Sequence, residues 1–409
     1  MAKTRRTAAT LAMLLVVTSG STASAQDLAV RAERLHTQTG APIDHGVVLI
    51  REGRIAAVGT QDEIAVPEGM RVLDAAVVTP GLIDARSVVG LAGFMNQPHD
   101  QDQLESSAPM QPQLRALDAY NARDRLVDWL RELGITTLHT GHGPGALVSG
   151  QTMIVKTRGG SVEQAVIRPV AMLAAHLGPG AFGAENKSPG TRAKQIALLR
   201  QQFIKAGEYR DKAARAKADA MPARDLELET LVDVLEGRLP LLVTAQREQD
   251  IRSALRLREE FGIRIVLDGA AEAYLLTEAI AESGVPVLLH PPMARQFGEM
   301  ENASFATAKT LHEAGITFAL QAGYESYVPK TRVVLWEAAI AAAYGLPFEA
   351  ALASITLDAA RILGIADRVG SIEVGKDGDL ALFDGDPFEY TSQVIGVVIE
   401  GEVVSGNGR

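Results

Sequence analysis

Four of the eight histidines, His139, His142, His176 and His290, stand where an apolar run gives way to a glycine- or proline-rich stretch. Asp268 closes another such run. Imidazoles and a carboxylate are the common acid–base groups and divalent-cation ligands, so Asp268, His142, His176 and His290 are the candidate catalytic set. Three histidines, or two with a carboxylate, would suit zinc. Arg86 and Ser87 follow the first run of this kind, and Gln321, Tyr324 and Glu325 the last. Arg86, His139, Tyr324 and Gln321 are therefore candidate substrate-binding residues. His139 and His142 are three apart, but Gly141, Gly143 and Pro144 forbid a helix, so they are no helical metal pair. Taken singly, each residue has a plain structural explanation. A strand-end histidine is often just hydrogen-bonded, Asp268 could cap the next helix, and His290 could fix a turn before Pro291 and Pro292. The functional reading rests on their falling at equivalent ends of successive strands.

What sets those ends is a repeated unit of amphipathic helix, glycine stop and β-branched run. Leu126, Trp129, Leu130 and Leu133 lead to Gly134 and then Ile135–Leu138; the same pattern leads through Gly262 to Ile263–Val266, through Gly284 to Val285–Leu289 and through Gly315 to Ile316–Ala319. Glycine at a helix end supplies the left-handed residue that stops it. Val78–Asp84, Val170–Ala175 and Leu241–Ala245 bring the strands to seven. Helices alternating with apolar strands imply a parallel sheet covered on both faces. An eighth strand, expected within 191–238 or at Thr152–Lys156, would close a (β/α)8 TIM-like barrel, whose chemistry sits at the C-terminal strand ends. The 191–238 stretch itself reads as two helices. An open doubly-wound sheet is the alternative. The polar loop from Gly93 to Gln113 would lie over the barrel mouth.

Both chain ends read as β structure. Gly46–Ile50, a tight turn at Arg51–Arg54 and Ile55–Val58 open the chain; Ser371–Val374, Asp379–Phe383, Val394–Glu400 and Glu402–Val404 close it. Neither piece could bury both faces of a sheet alone, so the two imply one composite β-sandwich with the barrel inserted between them. The expected division is 26–77 for the first sandwich part, 78–365 for the barrel and 366–409 for the second sandwich part.

Residues 1–25 read as a secretory signal: Lys3, Arg5 and Arg6, then the apolar run Ala8–Val17, then Ala23-Ser24-Ala25 as a cleavage site. The apolar run is too short to span a bilayer. An uncleaved anchor is the alternative. Cleavage removes three positive charges and takes the net charge from −10 to −13. The expected location is secreted, in the periplasm, with no membrane contact after cleavage. The chain has no cysteine, which excludes disulfides, thiolate nucleophiles and cysteine zinc sites. Its negative charge argues against nucleic acid as a partner.

At Val78-Thr-Pro-Gly-Leu-Ile-Asp-Ala85 the sequence resembles the amidohydrolase superfamily, nearest its imidazolonepropionase-like branch. Gly46–Gly59, Gly134–Thr137, Ala350–Gly364 and Val369–Leu380 resemble it too, so the likeness runs over nearly the whole mature chain. The resemblance implies a (β/α)8 barrel with a composite sandwich, and hydrolysis of carbon–nitrogen bonds by metal-activated water. It also implies ligands at fixed places. The His-x-His after the first strand falls on Arg86 and Val88, the fifth-strand histidine on Thr244, the sixth-strand histidine near Asp268 or Gly269, and the eighth-strand aspartate on Gly323. No lysine can be assigned to the bridging position. No cofactor is therefore expected at the usual positions, and zinc only at a relocated histidine cluster. A permanent guanidinium at Arg86 would repel a divalent cation.

Three functions follow. One is a hydrolase with a relocated or metal-free site, in which Asp268 or a neutral histidine activates water and Arg86 stabilises an oxyanion. The second is a non-catalytic small-molecule-binding protein in which Arg86 anchors a ligand carboxylate through a bidentate contact. The third is a structural subunit of an active homologue, in a homo- or hetero-oligomer.

Overall fold

The computed structural model describes residues 27–184, 187–217, 221–324 and 332–406. The signal segment 1–25 and Glu325 lie outside the described residues. Among those described, no helix is long and apolar enough to cross a membrane.

The chain ends do combine. Strands Leu28–Leu35, Ile43–Arg51, Arg54–Thr60 and Arg71–Pro80 join Leu380–Phe383, Val394–Ile399 and Glu402–Gly406 in one seven-stranded sheet. The seam between the two ends is Arg71–Pro80, parallel to Leu28–Leu35 on one side and antiparallel to Leu380–Phe383 on the other. Side chains alternate across it: Leu28, Val30 and Ala32 enter one apolar cluster, Ala29 another. Ser371–Val374, expected as a strand, is a turn-rich connection instead. Its polar groups bond locally, with the Lys376 ammonium reaching the Ser371 hydroxyl and the Glu373 carboxylate.

The run Val78–Asp84 divides at Gly81. Pro80 has no N–H for a ladder, and Gly81 donates its N–H to the Asp379 carbonyl at 2.9 Å. A Cβ at Gly81 would lie 2.3 Å from the Thr136 hydroxyl, so only glycine lets the chain pass here. Beyond it, Leu82–Ser87 starts the middle of the chain.

That middle holds two ladders. Leu82–Ser87 pairs in parallel with Ile135–Thr140, and Met153–Lys156 and Val166–Arg168 extend this sheet antiparallel. Leu173–His176, Leu241–Ala245, Ile265–Gly269, Val287–Leu289 and Phe318–Leu320 pair in parallel in strict chain order, with Val148–Gln151 antiparallel at one edge. Seven strands thus run in parallel, as expected, and the chain order lacks the reversal of a doubly-wound sheet. The eighth parallel strand is not found among the described residues. The Thr152–Lys156 stretch does form a strand, but antiparallel, and 192–235 is the two helices Arg192–Arg215 and Leu226–Leu235. The ladders are separate and meet at a few backbone hydrogen bonds. The Gly323 N–H reaches the Arg86 carbonyl at 3.1 Å, the Thr152 N–H reaches the Met172 carbonyl at 2.8 Å, and the Ala171 N–H reaches the Thr152 carbonyl at 2.8 Å. A continuous closed barrel ladder is therefore not what the hydrogen bonds form. Helices end where the glycines stand: Gly262 and Gly284 adopt φ of 65° and 64°.

Candidate functional site

Period-two alternation explains why polar groups meet. Leu242, Val266, Leu288 and Ala319 share one apolar cluster with Ile83, Ala85 and the helix residues Ala359, Ala360 and Leu363. Two positions further along each of those four strands stand Thr244, Asp268, His290 and Gln321. They point the same way, one layer higher. Arg86 joins them from the first strand, whose pairing is irregular between Asp84 and Ser87.

These five line one cleft, together with Ser87, Val88, Gln246, Met300, Gly323 and Tyr324 among others. At its floor lies a closed polar cluster. The Thr244 hydroxyl donates to Asp268 Oδ2, and Gln321 Nε2 donates to Asp268 Oδ1 at 2.7 Å and to the Leu288 carbonyl at 2.8 Å. Arg86 Nε stands 3.9 Å from Asp268 Oδ2, with both side chains buried. The rest of the guanidinium donates to the main chain, to the Ser87 carbonyl at 3.2 Å and to the His142 carbonyl. Two of its five N–H groups are thus spent on the main chain, and its Nε faces Asp268 beyond hydrogen-bond distance.

His290 differs. Its Nδ1–H donates to the Pro291 carbonyl at 2.8 Å, while Nε2 is buried with no hydrogen-bond partner. Burial holds its pKa down, to about 4. It is a neutral imidazole with its lone pair unspent. On the rim, Tyr324 accepts from Gln103 Nε2 at 2.9 Å, and the Gln103 carbonyl accepts the Gly143 N–H at 2.6 Å. The long loop thus reaches the cleft through Gln103.

The structure brings together Asp268, His290, Arg86, Gln321 and Tyr324, along with the ligand-position residues Val88, Thr244 and Gly323. It does not bring His139, His142 or His176 to the cleft lining. His139 is fully buried: Nδ1–H donates to the Ala85 carbonyl and Nε2 accepts from the Thr152 hydroxyl, both at 2.7 Å. It ties the first parallel strand to the seam at Thr152. His142 is buried against Gly150, its ring nitrogens without hydrogen bonds, and burial and Arg86 hold its pKa down at about 4. His176 faces Glu299 at 3.4 Å, behind the Gly178-Pro179-Gly180 loop. The relocated histidine cluster is therefore not formed: among the described residues no three His, Cys, Asp or Glu side chains gather as a cation site. The loops after each strand turn the rings apart.

Two residues escaped the sequence reading. Gln246 lines the cleft two positions past Thr244, where the alternation could have found it. Asp84 lies beneath, its Oδ1 accepting the N–H groups of Arg86 at 3.2 Å and Ala322 at 3.0 Å. Its Oδ2 has no partner, and complete burial raises its pKa to about 7 despite those bonds and the Arg86 charge.

Residues 308–404 match the amidohydrolase family. The chain is 24% identical over 388 residues to the amidohydrolase tasK of Hapsidospora irregularis, covering 87% of this chain but only 39% of that protein. It is 24% identical over 409 residues to an imidazolonepropionase of a Geobacillus species, covering 90% of this chain and 92% of the relative. Among solved structures it is similar to an amidohydrolase from Thermotoga maritima, with a TM-score of 0.87, 29% identity, and coverage of 93% of this chain and 100% of that one.

Proposed function

Since the chain belongs to the amidohydrolase superfamily and is imidazolonepropionase-like, we propose that its strand-end cleft is a small-molecule site that works without a resident divalent cation. The buried cluster of Arg86, Asp268, Thr244 and Gln321 stands in the cation's place. The observation that carries this reading is that both Asp268 oxygens accept from neutral donors with a guanidinium alongside. The donor set does not fit a metal. Arg86 offers only N–H groups and Val88 is apolar, and among the described lining residues Asp268 and His290 are the carboxylate and the imidazole, short of the three such ligands a divalent site takes. A cation there would displace the bonds at Asp268 and sit beside a permanent positive charge.

We propose further that the two ladders, tied at Arg86–Gly323 and Thr152–Met172, wrap as the closed barrel of the family, and that the chain is exported through residues 1–25. The parent class is hydrolysis of carbon–nitrogen bonds, and with this cluster the protein acts first as a binder. Elemental analysis of purified, unchelated protein tests this. The expected result is metal far below one equivalent and a fold indifferent to chelators; one tightly held equivalent overturns it.

A second reading is favoured by His290. A neutral imidazole at the cleft, its buried Nε2 without a protein partner, is a base that needs no metal. A base held near pKa 4 is weak, so turnover is slow. Loss of a slow amide hydrolysis in His290→Gln, with the fold retained, supports it; activity unchanged in that variant rejects it.

A further inference from the structure

We infer that residues 291–303 form a lid across the mouth of the cleft, latched by the Glu299 carboxylate in a notch made by His176, Gly178 and Gly180. This rests on the small-molecule reading above and adds how such a molecule enters.

The segment leaves the end of strand Val287–Leu289 and lines the cleft through Pro291, Ala294 and Met300. It then runs back over the loops that follow three earlier strands. Arg247, after Leu241–Ala245, donates to the Gly298 carbonyl at 2.8 Å and pairs with Glu301 at 2.7 Å. Glu272, after Ile265–Gly269, accepts from Asn302 Nδ2 at 2.6 Å. Glu299 reaches furthest, to the loop after Leu173–His176, where its Oε2 accepts the Gly180 N–H at 2.9 Å. With strands about 4.8 Å apart, that is a span of roughly 14 Å over the strand ends. Apart from one turn at Gly298–Met300 the segment forms no helix or strand, and no residue from 293 to 302 is fully buried. Met293 and Phe297 are 46% and 68% exposed. Polar ties rather than an apolar seat hold it, so it can part from the mouth without opening a core.

The notch is shaped for the carboxylate. A Cβ at Gly178 would lie 2.1 Å from Glu299 Oε1, and one at Gly180 would lie 2.4 Å from Oε2, so the group fits only because both positions are glycine. The grip is nevertheless slight. His176 Nε2 stands 3.4 Å from Glu299 Oε2 without hydrogen-bond geometry. The Arg192 guanidinium is bound to Asp250, which borders the same notch. Shut, the latch makes the Gly180 bond and leaves Glu299 Oε1, His176 Nδ1 and His176 Nε2 buried and unmet. Open, it gives all of them to water, which offsets the bond that is lost. Such a tie closes the mouth and releases it readily.

Entry to the cleft is followed on the full chain with Ser87→Cys as its one thiol and a small aromatic disulfide as reagent. In that background Glu299→Ala removes the latch, and Gly180→Ala expels it by filling the notch. Each should quicken labelling about tenfold while the urea midpoint holds. Arg200→Ala breaks a surface pair with Glu260, about 12 Å further along the helix from Arg192, and should leave the rate unchanged. Unchanged labelling in either latch variant overturns the lid. So does equal quickening by Arg200→Ala, or quickening matched by a lower urea midpoint. Where one latch variant does not fold, the other decides; failure of both to fold marks a structural clamp and overturns the lid. None of these outcomes bears on the metal content that decides the parent reading.

Discussion

Two buried charge clusters sit at opposite ends of the same parallel strands. At the N-terminal end Lys156, opposite Thr137 in its ladder, contacts Asp379 and lies 3.1 Å from Asp377, all three buried. Arg368 bonds Asp377 at 2.8 Å and Glu400 at 3.1 Å. This cluster joins the seven-stranded sheet to the parallel ladders. At the C-terminal end Arg86 and Asp268 form a more widely spaced pair bordering the cleft. The difference lies around them. Among the described residues, the buried carboxylate and imidazole atoms without hydrogen bonds belong to Asp84, His142, His176, His290 and Glu299, all toward the cleft end. One end uses charge as a clamp and leaves no carboxylate oxygen wanting. The other keeps unspent polar atoms, as a site that receives a ligand must.

The largest effect should come from the clamp. Lys156→Ala leaves Asp379 buried without its cation and should cost about 3–5 kcal/mol in urea unfolding. The double change Arg86→Met with Asp268→Asn removes both charges at once and should be near neutral by the same measurement. Equal losses at the two ends would erase the distinction.

The pH dependence sharpens it. Asp84, raised to about 7, is protonated more readily in the folded chain than in the unfolded one. Its contribution is full at low pH and is lost as pH rises from about 4 to 7, a change on the order of 4 kcal/mol. His139, His142 and His290 act oppositely. Held down at about 3, about 4 and about 4, they contribute fully above the unfolded value near 6.5, and that contribution is lost as pH falls toward 4. Stability should therefore rise from pH 4 to 6.5, less steeply than the histidines alone dictate. In Asp84→Asn the rise should become steeper, as read by chemical denaturation at each pH; an unchanged slope would contradict the assignment of Asp84.

The smallest effect is at the rim. Tyr324→Phe removes the bond to Gln103, and about 1 kcal/mol of latch should open the cleft roughly fivefold more often. The chain has no cysteine, so Ser87→Cys gives a single reporter thiol on the cleft wall. Its modification by a small disulfide reagent should quicken by that factor in the double variant; an unchanged rate removes Gln103 and Tyr324 from the roof.

Much of this was legible in the chain itself. Apolar runs marked all seven parallel strands, and β-rich ends implied their union, expected as a sandwich and found as one seven-stranded sheet. Alternation explains Thr244, Asp268, His290 and Gln321 arriving on one face. What could not be read depends on partners far away. The ladders end where a few hydrogen bonds replace a register, and Met153–Lys156 chose an antiparallel neighbour. His139, His142 and His176 look like His290 in sequence, yet Ala85, Gly150 and Glu299 decide where their rings go. Asp84 was hidden inside an apolar strand, with nothing local to announce its burial.

Whether the Arg86–Asp268 pair occupies the place of a divalent cation is tested most directly by calorimetric zinc titration of the wild-type chain beside Arg86→His with Val88→His. The wild type should give no heat of specific binding at micromolar zinc, and a site should appear once the guanidinium is exchanged for imidazoles. One equivalent bound tightly by the wild type, and abolished by Asp268→Asn, would contradict it.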